Sequence, residues 1–146
     1  MPSPKNLPPK AIPDVSKFDR AAMDEKFSYV ILGHDSRNII EVRYRGRVTA
    51  EEVGEVHGKV LDLLPKMRKG FTFLADLSSL ESMELDCMTS ITKIMDACNA
   101  AGIGTVVRIV PDPRKDIGLN ILSIIHYSRG VRVLTCQNQA EAERVL

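Results

Sequence analysis

The chain has 146 residues, 44% of them hydrophobic, which is enough to bury a core without disulfide or metal support. Lysine and arginine number 20 against 19 aspartates and glutamates, so no global field favours nucleic acid or an anionic membrane. Three cysteines without a C-x-x-C pair suit a reducing compartment, no apolar run approaches the roughly 20 residues that cross a bilayer, and prolines at 2, 4, 8, 9 and 13 break up any signal-peptide core; a cytoplasmic location is expected.

Residues 1–26 are rich in Pro and Lys and lack periodicity, which predicts a flexible or extended arm whose removal up to about Phe18 leaves stability nearly unchanged. A single domain is expected over 27–146. Segments 28–32 and 39–47 read as strands joined by the turn-rich Gly33-His34-Asp35-Ser36-Arg37-Asn38. In the second, Ile40, Val42 and Tyr44 alternate with Glu41, Arg43, Arg45 and Arg47, so one face is buried and the other polar. Thr49-Ala50-Glu51-Glu52 is a capping-box sequence, and it opens a helix carrying Val53, Val56, Val60, Leu64 and Met67 at spacings of three and four. Pro65 should bend or end that helix, and Gly70 closes the segment.

Residues 71–102 carry the most information. A short apolar run, 71–75, stops at Asp76 and gives way to a polar loop; a helical pattern with Met88, Ile91, Met95 and Cys98 on one face starts near Asp86 and runs to Gly102. An apolar strand, 105–110, follows at once. Strand, acidic turn, helix and strand make a parallel crossover unit, which places its chemistry in the loop at the strand's carboxyl end. Pro111-Asp112-Pro113 forms a rigid loop. A third helix is predicted over 116–129, ending at Gly130, then a strand over 131–136 and a short helix over 139–146. The order ββαβαβαβα predicts an α/β fold with a mixed, mostly parallel sheet of about five strands, about four helices, and an antiparallel strand at the start.

Three segments carry a resemblance. Residues 39–49, IIEVRYRGRVT, look like a strand and glycine turn leading into a first helix; Leu74-Ala75-Asp76-Leu77-Ser78 looks like a D-L-S strand end; Gly102-Ile103-Gly104-Thr105-Val106-Val107 looks like a glycine before an apolar strand. Together they resemble the STAS domain, the family of anti-sigma-factor antagonists and of the cytoplasmic tails of sulfate transporters. The resemblance implies a non-enzymatic regulatory module that binds a protein partner, such as an anti-sigma-type kinase or another regulator. Antagonists of this family carry Asp-Ser-Ser/Thr-Gly-Leu at the start of the second helix and are phosphorylated on the second hydroxyl residue. Here the stretch reads Asp86-Cys87-Met88-Thr89-Ser90, so Met88 occupies the acceptor position and cannot take a phosphoryl group. Sliding the match by one residue puts Thr89 there but loses the aspartate. No phosphorylation at this helix start is expected.

Asp76, Ser78, Ser79 and Asp86, with Cys87, Met88, Thr89 and Ser90, form the candidate partner-binding surface; ordinary turn and cap chemistry is the alternative for the Asp and Ser residues. Cys87 near a helix N-terminus has the dipole that favours a thiolate, but Asp86 beside it opposes one, and packing explains it better. His34, His57 and His126 fall in different elements without metal-ligand spacing, and no metal or cofactor is expected. Arg43, Arg45, Arg47, Arg108 and Arg132 would gather only if one sheet face lacked helices. No G-x-S-x-G, P-loop, G-x-G-x-x-G or H-E-x-x-H pattern occurs, so no enzyme is indicated. The third helix is apolar nearly all round its axis, through Ile117, Leu119, Ile121, Leu122, Ile124, Ile125 and Tyr127. Its uncovered side suggests a homodimer with Leu122 and Ile125 in contact, or else a small apolar ligand carried between this helix and the sheet.

Overall fold

In a computed structural model, residues 28–112, 114 and 117–146 are described, Ile117 by its backbone alone. The expected N-terminal arm and the start of the third helix at Asp116 lie outside them. Five strands, β1 (Tyr29–His34), β2 (Ile39–Val48), β3 (Thr72–Met83), β4 (Thr105–Ile109) and β5 (Arg132–Cys136), form one sheet in chain order. β1 runs antiparallel to β2 and every later pair is parallel. The helices are α1 (Ala50–Leu63), α2 (Cys87–Ala100), α3 (Ile117–His126) and α4 (Gln139–Val145). The predicted order of elements and the mixed sheet are those observed.

Local chemistry sets the boundaries. Thr49 Oγ1 accepts from the backbone N–H of Glu52 at 3.2 Å, and the Thr49 N–H donates to Glu52 Oε1 at 2.8 Å, which is the reciprocal cap that starts α1. Pro65 removes a donor, so α1 gives way to a short 3-10 turn at Leu64–Lys66. Gly104 lies so close to Gly70 that an added Cβ would sit 2.8 Å from the Gly70 carbonyl oxygen. That contact seats β4 beside β3, and it makes the glycines at 102 and 104 a close-packed turn rather than a phosphate cradle.

One element departs from expectation. β3 does not stop at Asp76 but continues through the supposed loop to Met83, paired with the long second half of β2. Arg43 and Arg45 face Asp76 and Ser79, and Gly46 and Arg47 face Leu80 and Ser82, so β3 holds one extra residue at each of two bulges. The bulges space the helix-facing residues Leu77, Leu80 and Met83 three apart, with all three packed on the core. That period matches neither a strand nor a helix, which is why LSSLESM reads as a loop.

The sheet divides the interior. On one face Ile40, Val42, Tyr44, Phe73 and Val106 pack beneath Val53, Val56 and Val60 of α1, Ile91, Ile94, Met95 and Cys98 of α2, and Leu119, Leu122 and Tyr127 of α3 or the turn after it. On the other, Ile39, Leu74, Val107, Ile109 and Cys136 pack with Ala142 of α4. No described helix is long and apolar enough to cross a membrane.

Candidate functional site: an apolar cavity between the sheet and two helices

At the carboxyl ends of β3 and β4 the helical face is not completely filled. A cavity of about 380 Å³ opens there, floored by Val42, Tyr44, Phe73, Ala75, Val106 and Arg108 and walled by Met88, Ile91, Ile94 and Met95 of α2. Leu119 and Tyr127 close the α3 side, and Leu77, Leu80 and Met83 from the extended part of β3 form the rim with Ser78, Glu81, Ser82 and Asp112. The small side chain of Ala75 sits between Val42 and Arg108 in the register of the three strands, and this lowers the floor. The pocket opens at its polar rim, and a ligand filling it would give its apolar lining contacts that the packed side chains do not supply.

Arg108 is the one charged residue of the floor and is only 3% exposed. Its Nη1 donates to Ser123 Oγ at 3.0 Å and its Nη2 to Asn120 Oδ1, which pins α3 over β4. A second tie holds the far end of α3: His126 Nδ1 lies 2.7 Å from Asp96 Oδ1 of α2, and the Ser128 N–H donates to Asn99 Oδ1 at 2.9 Å. Burial pushes the phenols of Tyr44 and Tyr127 up, so both stay neutral donors at ordinary pH.

The expected site residues are spread over three places. Ser78 and Met88 reach the cavity. Asp76 lies on the opposite face of the sheet, where its Oδ2 is 3.3 Å from Arg43 Nη2 and its Oδ1 accepts from the Ser78 N–H and hydroxyl at 2.9 and 2.6 Å. Ser79, Asp86 and Thr89 are exposed and Ser90 is half-buried. The Asp86 side chain makes no cap bond to α2. Cys87 is fully enclosed with Sγ 3.7 Å from the Val48 carbonyl oxygen, and burial, reinforced by the Glu84 carboxylate, pushes its thiol up rather than toward a reactive thiolate. Cys98 is pushed up to about 12 by burial.

The arginines do not gather on one face. Arg43 joins Asp76, whereas Arg108 points to the helical side. Leu122 packs on the core, while Ile125 is 68% exposed beside Ile121 at 53% and Ile124 at 80%. Tyr44, Phe73, Met83, Met95 and Tyr127 were missed as lining residues, since each reads as ordinary core. The available signal was Ala75, a small residue between Phe73 and Leu77 on the helix-facing side of the central strand.

This architecture has known counterparts. An uncharacterized protein of the DUF3478 family from Shewanella loihica, described as having a SpoIIAA-like fold, superposes with a TM-score of 0.65 at 12% identity, over 82% of this chain and 94% of that one. The chain has the SpoIIAA-like, STAS fold. The unphosphorylated anti-sigma factor antagonist SpoIIAA superposes with a TM-score of 0.57 at 14% identity, over 80% of this chain and 96% of that one. A putative anti-sigma factor antagonist from Thermotoga maritima gives 0.54 at 17% identity, over 80% and 92%. No protein-family model matches the sequence, and no curated protein does. At these identities the shared property is the SpoIIAA-like fold, and the cavity is described from this chain's own residues.

Proposed function

We propose that this SpoIIAA-like chain is a non-enzymatic regulatory module that binds a small apolar ligand in the cavity between α2, α3 and the sheet. The cavity carries the reading. Its volume of about 380 Å³ lies in the range of small-molecule sites, roughly 300–1,000 Å³, and its lining is mostly hydrocarbon and thioether with a few polar groups. The flexible, polarisable side chains of Met83, Met88 and Met95 suit a ligand whose shape the walls must follow.

Ligand occupancy would stand where SpoIIAA, a neighbour of this fold solved in a phosphorylated form, carries a phosphoryl group. Met88, at the position of the phosphorylated residue in the STAS resemblance, is a cavity wall with no hydroxyl. Native mass spectrometry of the protein purified from cells without detergent tests the reading. The expected result is an adduct that organic extraction removes and a hydrocarbon-rich compound in the extract. A ligand-free protein that also fails to take up apolar probes would refute it, and a phosphopeptide mapped to Thr89 or Ser90 would restore the phosphoswitch.

A second reading rests on a separate observation. Ile121, Ile124 and Ile125 present an exposed apolar stripe along α3, the helix whose Leu119 lines the cavity. Contact with a protein partner, or with a second copy, through this stripe would let that partner sense whether the cavity is filled. Sedimentation velocity across a concentration series distinguishes a homodimer from a surface kept for another protein.

A further inference from the structure

The polar groups of the cavity narrow the chemistry of its ligand. Among the described residues, neither the Tyr44 nor the Tyr127 hydroxyl has a hydrogen-bond partner, although the comparable Tyr29 hydroxyl donates to Glu55 Oε1 at 2.8 Å. Tyr44 as a residue is only 5% exposed, yet its oxygen is not among the side-chain atoms sealed off without a partner. The open space beside both rings is the cavity. Buried hydroxyls in folded proteins are paired, so two phenols that face a mostly hydrocarbon pocket take their acceptor from outside the chain, from solvent at the open rim or from a ligand that displaces it.

We propose, building on the ligand-binding reading above, that the cavity takes an uncharged, largely hydrocarbon molecule bearing a hydrogen-bond-accepting oxygen, which a phenol hydroxyl of Tyr44 or Tyr127 receives. The space of about 380 Å³ corresponds to roughly a dozen non-hydrogen atoms at about 30 Å³ each. An anion is disfavoured: the two terminal nitrogens of Arg108 already donate to Ser123 and Asn120, and the Glu81 carboxylate stands at the rim. A cation would face Arg108 on the floor. An ether, ketone, ester or alcohol oxygen accepts from a neutral phenol without carrying a charge into the cavity, and the rest of the molecule meets side chains such as Phe73, Ile91 and Met95. Tyr44 lies toward the Cys87 end of α2 and Tyr127 toward the Cys98 end, so both ends of the space offer a donor.

The test compares a medium-chain methyl ketone with the terminal alkene of equal length, titrated into the wild-type protein and into Tyr44→Phe, Tyr127→Phe and the double variant. Each substitution keeps the ring and removes only the donor. The wild type should bind the ketone about three- to tenfold more tightly than the alkene, the span of one neutral hydrogen bond, and the double variant should bind both alike. The infrared carbonyl stretch of bound ketone should be lowered in the wild type and return to its apolar-solvent position in the double variant, a change that a purely structural role for the tyrosines would not produce. Equal affinities of ketone and alkene in the wild type, a ketone preference that survives in the double variant, or tighter binding of the fatty acid of equal length would overturn this proposal while leaving an apolar ligand site in place. Binding of neither probe would overturn the ligand reading itself.

Discussion

The two faces of the sheet solve different problems. Beneath α1, α2 and α3 the side chains are apolar, yet they leave a space of about 380 Å³. The opposite face carries charge at low exposure, with Glu41 and Asp76 each 3% exposed, but the charges are engaged: His34 Nε2 lies 2.9 Å from Glu41 Oε1, and Asp76 holds Arg43 and Ser78. A charge enclosed without partners costs several kcal/mol, so the charged face has to be specified in detail. An apolar void costs less and can be regained by a ligand, so the apolar face can afford to stay open. The contrast is between an incompletely packed apolar side, where the proposed ligand would sit, and a polar side whose charges are already engaged.

The largest effect is expected on the charged face. Asp76→Ala removes the acceptor shared by Arg43 and Ser78 at a nearly inaccessible site and should cost about 3 kcal/mol in denaturant unfolding. A loss below about 1 kcal/mol would mean that this face is as tolerant as the other. On the apolar face the sign should reverse. Ala75→Leu adds methyl groups into open space at the cavity floor and should raise stability by about 1 kcal/mol while abolishing uptake of an apolar probe. Destabilisation by this substitution would show the cavity to be narrower than its lining indicates.

The edge of the helical face carries a pH dependence. Burial, assisted by the hydrogen bond to Glu55, pushes the Tyr29 phenol from 10.0 up to about 12. Folding therefore favours the protonated phenol: its contribution is fully present below pH 10 and is lost as pH rises through about 12. Unfolding free energy measured across that window should fall more steeply for the wild type than for Tyr29→Phe. Parallel curves would place the effect elsewhere. The smallest stability effect is expected on the outside of α3. Ile124→Ser and Ile125→Glu should each change stability by no more than about 0.5 kcal/mol, because these side chains are mostly exposed, while abolishing any self-association seen by sedimentation. Leu122→Glu would instead charge the core and unfold the helix packing, since Leu122 points inward.

Most of the element order was legible in the sequence because its signals are local. The Thr49 capping box, the stop at Pro65, the valine stripe of α1 and the apolar runs of β2 and β4 each depend on neighbours within a few residues. The antiparallel start followed by parallel strands follows from connection length, a short turn in one case and crossover helices in the others. The candidate surface between Asp76 and Ser90 was only partly legible. It assumed a loop, and the bulged extension of β3 sends Asp76 to one face of the sheet and Leu77, Leu80 and Met83 to the other.

The SpoIIAA-like order of strands and helices, the lack of a hydroxyl at Met88 and the surplus of apolar residues on α3 are already fixed in the amino-acid order. Tertiary structure alone decided that β3 runs on to Met83, that Arg108 turns under α3 while Arg43 turns away, and that Tyr44 and Tyr127 face a common space. The physical reason is that caps, turns and periodicity are set by short-range sterics and hydrogen bonds. Bulges, unfilled volume and the partner of a buried hydroxyl depend instead on which distant residues the sheet brings side by side.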